Sequence, residues 1–379
     1  MTAGVDIRVN REERRVQAWS GEESVGNVGV VAIDFDWGRG VVVPMAGIGA
    51  VGTAEAFRRQ GIAGRMMREA VGLSRELGYP VGGVSTGRGN VARRLYTRSG
   101  YVPLFAVDDY ARPVGCPEPA PAPDGVGLRP YAPGDEDGIV ELWHQSYSAN
   151  DFFGARAADV DKWAAQRAEL LAASPQSVWV ALCDGVVIGW AEYYHHWRDQ
   201  EKCAFLVEEG ADAAAVARAL LTRLERSLAD AGLEQFVFDA SQHQAWMADV
   251  LRGLGCQRKD GYVFHAAVFD LADLLNRLRP LYVARLRASR LDSWPGVLRV
   301  EMGERSAEAE LAGGDAGRRV EITGSYEQIV RVLCGRTSAW EAYLCGRLRI
   351  TGDLGPSADV PLNAFLGQYP WFHPRRDRW

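Results

Sequence analysis

The stretch Gly47-Ile48-Gly49-Ala50-Val51-Gly52-Thr53-Ala54-Glu55-Ala56-Phe57-Arg58-Arg59-Gln60-Gly61-Ile62-Ala63-Gly64 decides the reading of this chain. An apolar, glycine-containing strand runs here straight into a basic, glycine-containing helix start. The first turn of a helix has backbone N–H groups without intrahelical partners, and the macrodipole adds partial positive charge there. Arg58 to Gly64 therefore make a ready anion site, suited to a pyrophosphate. Gly61 and Gly64 bring no β-carbon to hold a ligand away. Taken alone, the pattern equally fits an exposed helix start beside arginines.

Two further stretches follow in order. Periodicity predicts a helix over residues 66–77 and a second strand over 81–85. Then come Asn90-Val91-Ala92-Arg93-Arg94-Leu95-Tyr96 and Thr97-Arg98-Ser99-Gly100-Tyr101. This ordered pair of patterns resembles the GNAT N-acetyltransferase superfamily. The first is similar to that family's CoA-pyrophosphate loop, the second to its helix carrying a tyrosine beside the thioester sulfur, followed by a Gly-aromatic strand entry. The resemblance implies a CoA thioester, acetyl-CoA, as co-substrate. Val51, Gly52 and Thr53 would offer backbone groups of a splayed strand to the pantetheine arm and acetyl carbonyl; an ordinary buried strand is the other reading. Arg59, Gln60, Gly61, Ile62, Ala63 and Gly64 would hold the pyrophosphate through backbone N–H groups, with a side-chain contact from Arg58. Asn90 is placed as a further CoA contact, one residue nearer the tyrosine than the common family spacing.

At 379 residues the chain exceeds what one core usually organises and fits two or three domains. Its 47% hydrophobic and 24% charged content is that of an ordinary soluble globular protein. No run of eighteen uncharged apolar residues occurs and the N-terminus lacks a secretory layout, so a cytoplasmic location without a membrane partner is expected. The six cysteines are scattered without Cys-x-x-Cys spacing, and the adjacent His195 and His196 would point to opposite faces of a strand, so no metal site is expected. A net charge of −6 argues against nucleic acid as partner and suits a cationic small-molecule amine acceptor. Anionic CoA then needs a local reversal of sign, which Arg58, Arg59 and Arg65 supply.

The proline-rich stretch over residues 113–125 is read as a linker or an extended surface crossing. Before it, residues 1–112 read as a mixed-sheet α/β unit with strands at 15–19, 29–35, 41–51 and 81–85. Residues 126–270 repeat a similar plan, with Asp184-Gly185 as a two-residue hairpin turn. Where a second pyrophosphate loop should fall stands Val207-Glu208-Glu209-Gly210-Ala211-Asp212, whose carboxylates suit a helix start but repel a pyrophosphate. This second unit is read as a degenerate copy. Residues 271–379 change to a leucine- and arginine-rich helix followed by period-two strands and short helices. Their closing phrase around Gly352-Asp353 resembles a sterol-carrier-protein-like α+β domain. The fold class expected is thus two tandem GNAT-like mixed-sheet domains and a sterol-carrier-like domain. This order resembles the Eis family of bacterial acetyltransferases, and the resemblance implies acetylation of amines and assembly as a homo-oligomer, a hexamer in that family. Against the family, no room is expected before Arg15 for the first strand and the two helices that wall the acceptor site.

Acetyl transfer to an amine needs a held thioester, a polarised carbonyl, an uncharged amine and a proton for the departing sulfur. Tyr96 is the candidate acid, because a phenol of pKa about 10 is protonated at neutral pH and can serve a thiolate of pKa about 8.5; a core tyrosine is the bland alternative. The first unit contains no histidine to act as base. By resemblance to Eis-like proteins, the carboxylate of Trp379 would sit in the active site, orienting the amine or acting through water. The aromatic-rich tail, residues 369–379, otherwise reads as a loose surface end. Asp34, Asp36 and Trp37 are candidates to attract and stack a cationic substrate, or else form a polar hairpin end. A CoA-binding sensor without turnover, and an aminoacyl transferase on paired GNAT-like domains, are the competing functions. The second needs a basic groove that the net acidity disfavours.

Overall fold

The computed structural model describes residues 4–148, 154–156, 159–196, 200–241, 245–289, 293–353, 362–363, 366–367 and 371–372. The chain opens with β1 (Val5–Asn10), β2 (Arg15–Ser20), β3 (Glu23–Asp36) and β4 (Val42–Thr53), antiparallel neighbours in succession. A strand therefore does precede Arg15, which corrects the expectation from sequence. The polar turn Arg11 to Arg14 closes it onto β2: Asn10 Oδ1 accepts from the Glu13 amide at 3.0 Å, and Arg14 takes φ +52°. That tight turn leads straight to β2, with no helix between the two strands. Then follow α1 (Ile62–Glu76), β5 (Val81–Gly87), α2 (Ala92–Arg98) and β6 (Val102–Pro113).

The second half runs β7 (Val126–Pro130), α3 (Glu136–Trp143), β8 (Gly154–Arg156), α4 (Val160–Ala173), β9 (Val178–Cys183), β10 (Val186–His196), β11 (Gln200–Val207), α5 (Ala213–Asp230), β12 (Gln235–Ser241), α6 (Ala245–Gly253) and β13 (Gln257–Val268). Asp184 and Gly185 both take positive φ, as a two-residue hairpin between β9 and β10 requires. Both halves share one mixed sheet, in the order β1-β2-β3-β4-β5-β13-β6-β12-β11-β10-β9-β7. The two last strands are exchanged. β13 lies against β5 of the first half, Phe264 opposite Ser85, while β6 lies against β12 of the second, Phe238 opposite Tyr110. β13 and β6 also pair with each other, their Phe264 and Phe105 rings stacked at 5.2 Å. The intervening proline-rich segment runs extended along α5: the Gly115 amide donates to Glu225 and the Ala120 amide to Thr222.

The remaining elements are α7 (Leu271–Ala288), β14 (Pro295–Met302), β15 (Arg305–Glu310), β16 (Asp315–Gly324), α8 (Tyr326–Leu333), α9 (Ala339–Leu344), β17 (Leu348–Gly352) and β18 (Trp371–Phe372). A separate sheet has the order β15-β14-β16-β17. Strand alternation decides where each core forms. Ala46 and Ile48 of β4 pack with α1 and Tyr96 on one face; Val43 and Met45 pack on the other with Leu274, Leu278 and Leu281 of α7 and with β14 and β16. The C-terminal unit thus covers the face of the first half-sheet opposite α1 and α2.

Candidate active site

Strands β4 and β5 run parallel but stay paired only from Met45 opposite Val81 to Gly47 opposite Gly83. Beyond that point they part. β4 remains bonded to β3 as far as Gly26 opposite Thr53, and β5 to β13 as far as Tyr262 opposite Gly87, so the edges facing each other across the gap carry unpaired backbone groups. A bulge at the start of this region sets two β4 residues against one of β3. Ala50 there takes φ +49°, and Asn27 Nδ2 donates to its carbonyl at 3.2 Å.

At the mouth of the gap a single turn, Glu55–Phe57, leads into the basic loop. Arg58 is extended, Arg59 takes φ +62° and Gly61 φ +76° immediately before α1. Such alternation turns successive N–H groups into one concavity, a nest for an anion. The first helical hydrogen bond runs from the Arg65 amide to Gly61 O at 3.1 Å, so the amides of Ile62, Ala63 and Gly64 lie ahead of it. A cleft of about 710 Å³ extends from Val51, Gly52 and Thr53 past this loop to α2. Arg58, Arg59, Arg65, Arg68, Arg94 and Arg98 line it, and among the described residues no carboxylate does. Thr53 Oγ1 is buried there without a partner among the described residues. Arg58 Nε donates to Thr53 O at 3.2 Å, whereas Gln60 turns its amide back to Ala56 O and is not part of the lining. A β-carbon at Gly64 would point into the cleft, with only Leu95 Cδ1 as near as 4.0 Å.

Tyr96 is 5% exposed and is not among the residues lining the cleft; its ring packs between Tyr101, at 6.5 Å, and His265, at 6.2 Å. The expectation that no histidine serves this region holds for residues 1–112 but not for the fold. The exchanged strand β13 inserts His265, which borders a second cavity of about 570 Å³ that shares Val91, Arg94 and Arg98 with the cleft. No local motif announces His265; only pairing between distant strands brings it here. Burial pushes its pKa down to about 4, and Nδ1 lies 3.2 Å from Val263 O, so the ring is neutral at physiological pH. Burial likewise holds the Tyr101 phenol protonated, its pKa raised well beyond the ordinary range. Asn90 borders the second cavity rather than the cleft, and its Oδ1 accepts from the Ala92 amide at 2.9 Å in the turn that leads into α2.

With that geometry in place, comparison with known proteins is decisive for the first unit. Residues 6–103 match the family described as acetyltransferase (GNAT) domain. The first unit is thus similar to a GNAT domain over most of its length. No curated protein matches the chain in sequence. Among solved structures, a GCN5-related N-acetyltransferase from Anabaena variabilis superposes with TM-score 0.60 at 15% identity, covering 95% of this chain and 89% of that one. Eis1 from Mycobacterium abscessus superposes with TM-score 0.52 at 15% identity, covering 95% and 89%. A tandem GNAT protein from the clavulanic acid biosynthesis pathway gives TM-score 0.50 at 16% identity, covering 67% and 82%. At these identities the likeness is one of fold, and for the first two structures it covers most of both chains.

The residues suggested for the acceptor lie elsewhere in the first unit. Trp37 is fully buried, its Nε1 donating to Leu333 O at 3.3 Å, so it has no free face for stacking on a substrate. Asp36 is 2% exposed and caps the turn to β4, accepting from the Gly38 amide at 2.7 Å. Both are corrections to the substrate-binding reading: Trp37 is buried because the C-terminal unit packs over this end of β3, whereas Asp36 serves the polar hairpin end that the sequence also allowed. Asp34 remains at the surface, 3.4 Å from Lys162 Nζ. Trp379 lies outside the described residues. Further up the tail, β18 pairs with β8, which in turn pairs with β3 at Phe35 and Asp36.

The second half retains the parting of strands but not the site. β11 and β12 pair only at Cys203 opposite Phe238, and Phe205 and Phe238 meet edge to face at 5.6 Å across them. Trp246 closes on Phe205 at 6.1 Å. α5 starts beside exposed Glu208 and Glu209, where the first unit has arginines.

Proposed function

We propose that this chain is an acetyl-CoA-dependent N-acetyltransferase whose acceptor is a primary amine on a small cationic metabolite or an aminoglycoside-like compound. One observation carries the reading. Strands that part inside a GNAT-like unit open into a cleft bounded by a left-handed basic loop and six arginines and, among the described residues, no carboxylate, in a chain of net charge −6. Such a reversal of sign fits an anionic nucleotide, and the open strand edge fits an extended amide-bearing arm. The net acidity elsewhere favours a cationic acceptor.

In this reaction the uncharged amine nitrogen attacks the thioester carbonyl carbon, a C–N bond forms, the surplus proton on nitrogen passes to water, and the C–S electron pair departs on sulfur. Free backbone groups at Val51 to Thr53 stabilise the oxyanion that develops. Tyr96 gives the leaving thiolate its proton and is reprotonated from solvent. Its aromatic neighbours, Tyr101 and His265, are both uncharged at neutral pH, so neither competes as an ion. The burial of Tyr96 favours a second reading, in which acyl-CoA binds without turnover. Isothermal titration with acetyl-CoA, followed by a thiol-release assay over a panel of primary amines, separates the two. Binding and release support the enzyme, binding without release on any amine supports the sensor, and no binding rejects both.

A further inference from the structure

The diphosphate nest uses backbone amides and needs few guanidinium groups, yet the cleft continues beyond it between two arginine-bearing helices. Arg65 and Arg68 stand three residues apart on α1, and Arg94 and Arg98 stand four apart on one face of α2 opposite. Arg65 is engaged with Val5 O at 2.8 Å. Arg68, Arg94 and Arg98 are exposed and pair with no carboxylate among the described residues. Like charges gathered at this density repel one another, and an anion placed among them offsets the repulsion. Arg68 lies about one helical turn, roughly 5 Å, past the nest. In CoA the group adjoining the diphosphate is a ribose bearing a 3′-phosphomonoester, which carries about −1.5 to −2 charges at neutral pH.

We infer that Arg68, Arg94 and Arg98 form a recognition site for the donor's 3′-phosphomonoester, and that the protein thereby selects CoA over carriers that share the diphosphate and pantetheine but lack this phosphate. The inference rests on the reading of the cleft as a CoA site. Charge-assisted hydrogen bonds from one or two guanidinium groups correspond to roughly 10- to 100-fold in affinity.

The test is calorimetric titration of the full chain with CoA and, separately, with 3′-dephospho-CoA. The wild type is expected to bind CoA more tightly by roughly 10- to 100-fold. In an Arg94→Ala/Arg98→Ala variant the ratio of the two affinities falls towards one, CoA losing more than dephospho-CoA. Both positions are exposed, and circular dichroism checks that the variant is folded. A second readout is the salt dependence, which the variant makes shallower for CoA more than for dephospho-CoA. Equal affinity of the wild type for both ligands overturns the inference and leaves the donor reading intact, as does a variant that weakens both ligands alike. Failure of both ligands to bind the wild type rejects the donor reading itself, and the inference falls with it.

Discussion

At the scale of single residues, Tyr96 tests the proposed chemistry and His265 the pH response. Replacing Tyr96 by Phe keeps the ring between Tyr101 and His265 and removes only the hydroxyl. If that hydroxyl is the acid, kcat falls roughly 10²- to 10⁴-fold while acetyl-CoA affinity is unchanged by titration; full activity in the variant takes Tyr96 out of that role. His265 answers to pH through stability. Burial lowers its pKa from 6.5 to about 4, so below pH 6.5 the unfolded chain takes up a proton that the folded chain refuses. The contribution of the neutral ring is complete above 6.5 and declines as pH falls towards 4, by about 3 kcal/mol in all. Urea denaturation at pH 7 and pH 5 is expected to show this loss, and His265→Gln to flatten it. An unchanged pH dependence in the variant contradicts the assignment.

At the scale of elements, the loop before α1 and the parting of β4 from β5 work as one device. Ala50 at the bulge and Arg59 in the loop each hold a left-handed conformation that costs a non-glycine residue about a kilocalorie or more, tolerated because the surrounding strand and helix hold them, while Gly61 takes its positive φ without that cost. Gly64 offers the cleanest probe, because a side chain there would enter open space rather than the core. Gly64→Leu is expected to weaken acetyl-CoA binding on the order of tenfold or more by filling the cleft. The thermal midpoint stays equal or rises, since removing a helical glycine contributes roughly 0.5–1 kcal/mol. Undiminished binding in that variant would place the ligand elsewhere. α2 is held from outside its own half: the Tyr326 hydroxyl donates to Gly100 O at 2.9 Å and accepts from the Val268 amide at 3.1 Å. The C-terminal unit thereby fixes the end of the helix that carries Tyr96.

At the scale of the molecule, the exchange of β6 and β13 joins the halves more tightly than a linker does. Residues 1–113 expressed alone would lack the partner of β5 and expose Phe35, Trp37, Val43 and Met45, which α7 and the C-terminal sheet cover in the full chain. That fragment is expected to retain far-ultraviolet dichroism but to give a poorly dispersed amide NMR spectrum. A well-dispersed spectrum would show that the first half needs neither β13 nor its cover. Homo-oligomer formation, carried over from the Eis-like resemblance, is checked by light scattering on the full chain.

The strand-to-loop-to-helix reading of residues 47–64 was legible from sequence because glycine, arginine and helix-start signals act within a few residues of one another. The alternating strands of the C-terminal unit and the Asp184-Gly185 turn were legible for the same reason: they depend on local periodicity and local dihedral angles. Local patterns could not tell which strand pairs with which. Backbone hydrogen bonding is indifferent to side-chain identity, so the trade of β6 for β13, and with it the arrival of His265 beside Tyr96, was decided only by tertiary packing. The same holds for Trp37, whose composition suggested a surface aromatic until α8 and its Leu333 carbonyl closed over it. Sequence determined the basic loop before α1, and the tertiary fold decided which distant side chains share its neighbourhood, because burial and strand pairing are properties of the whole chain.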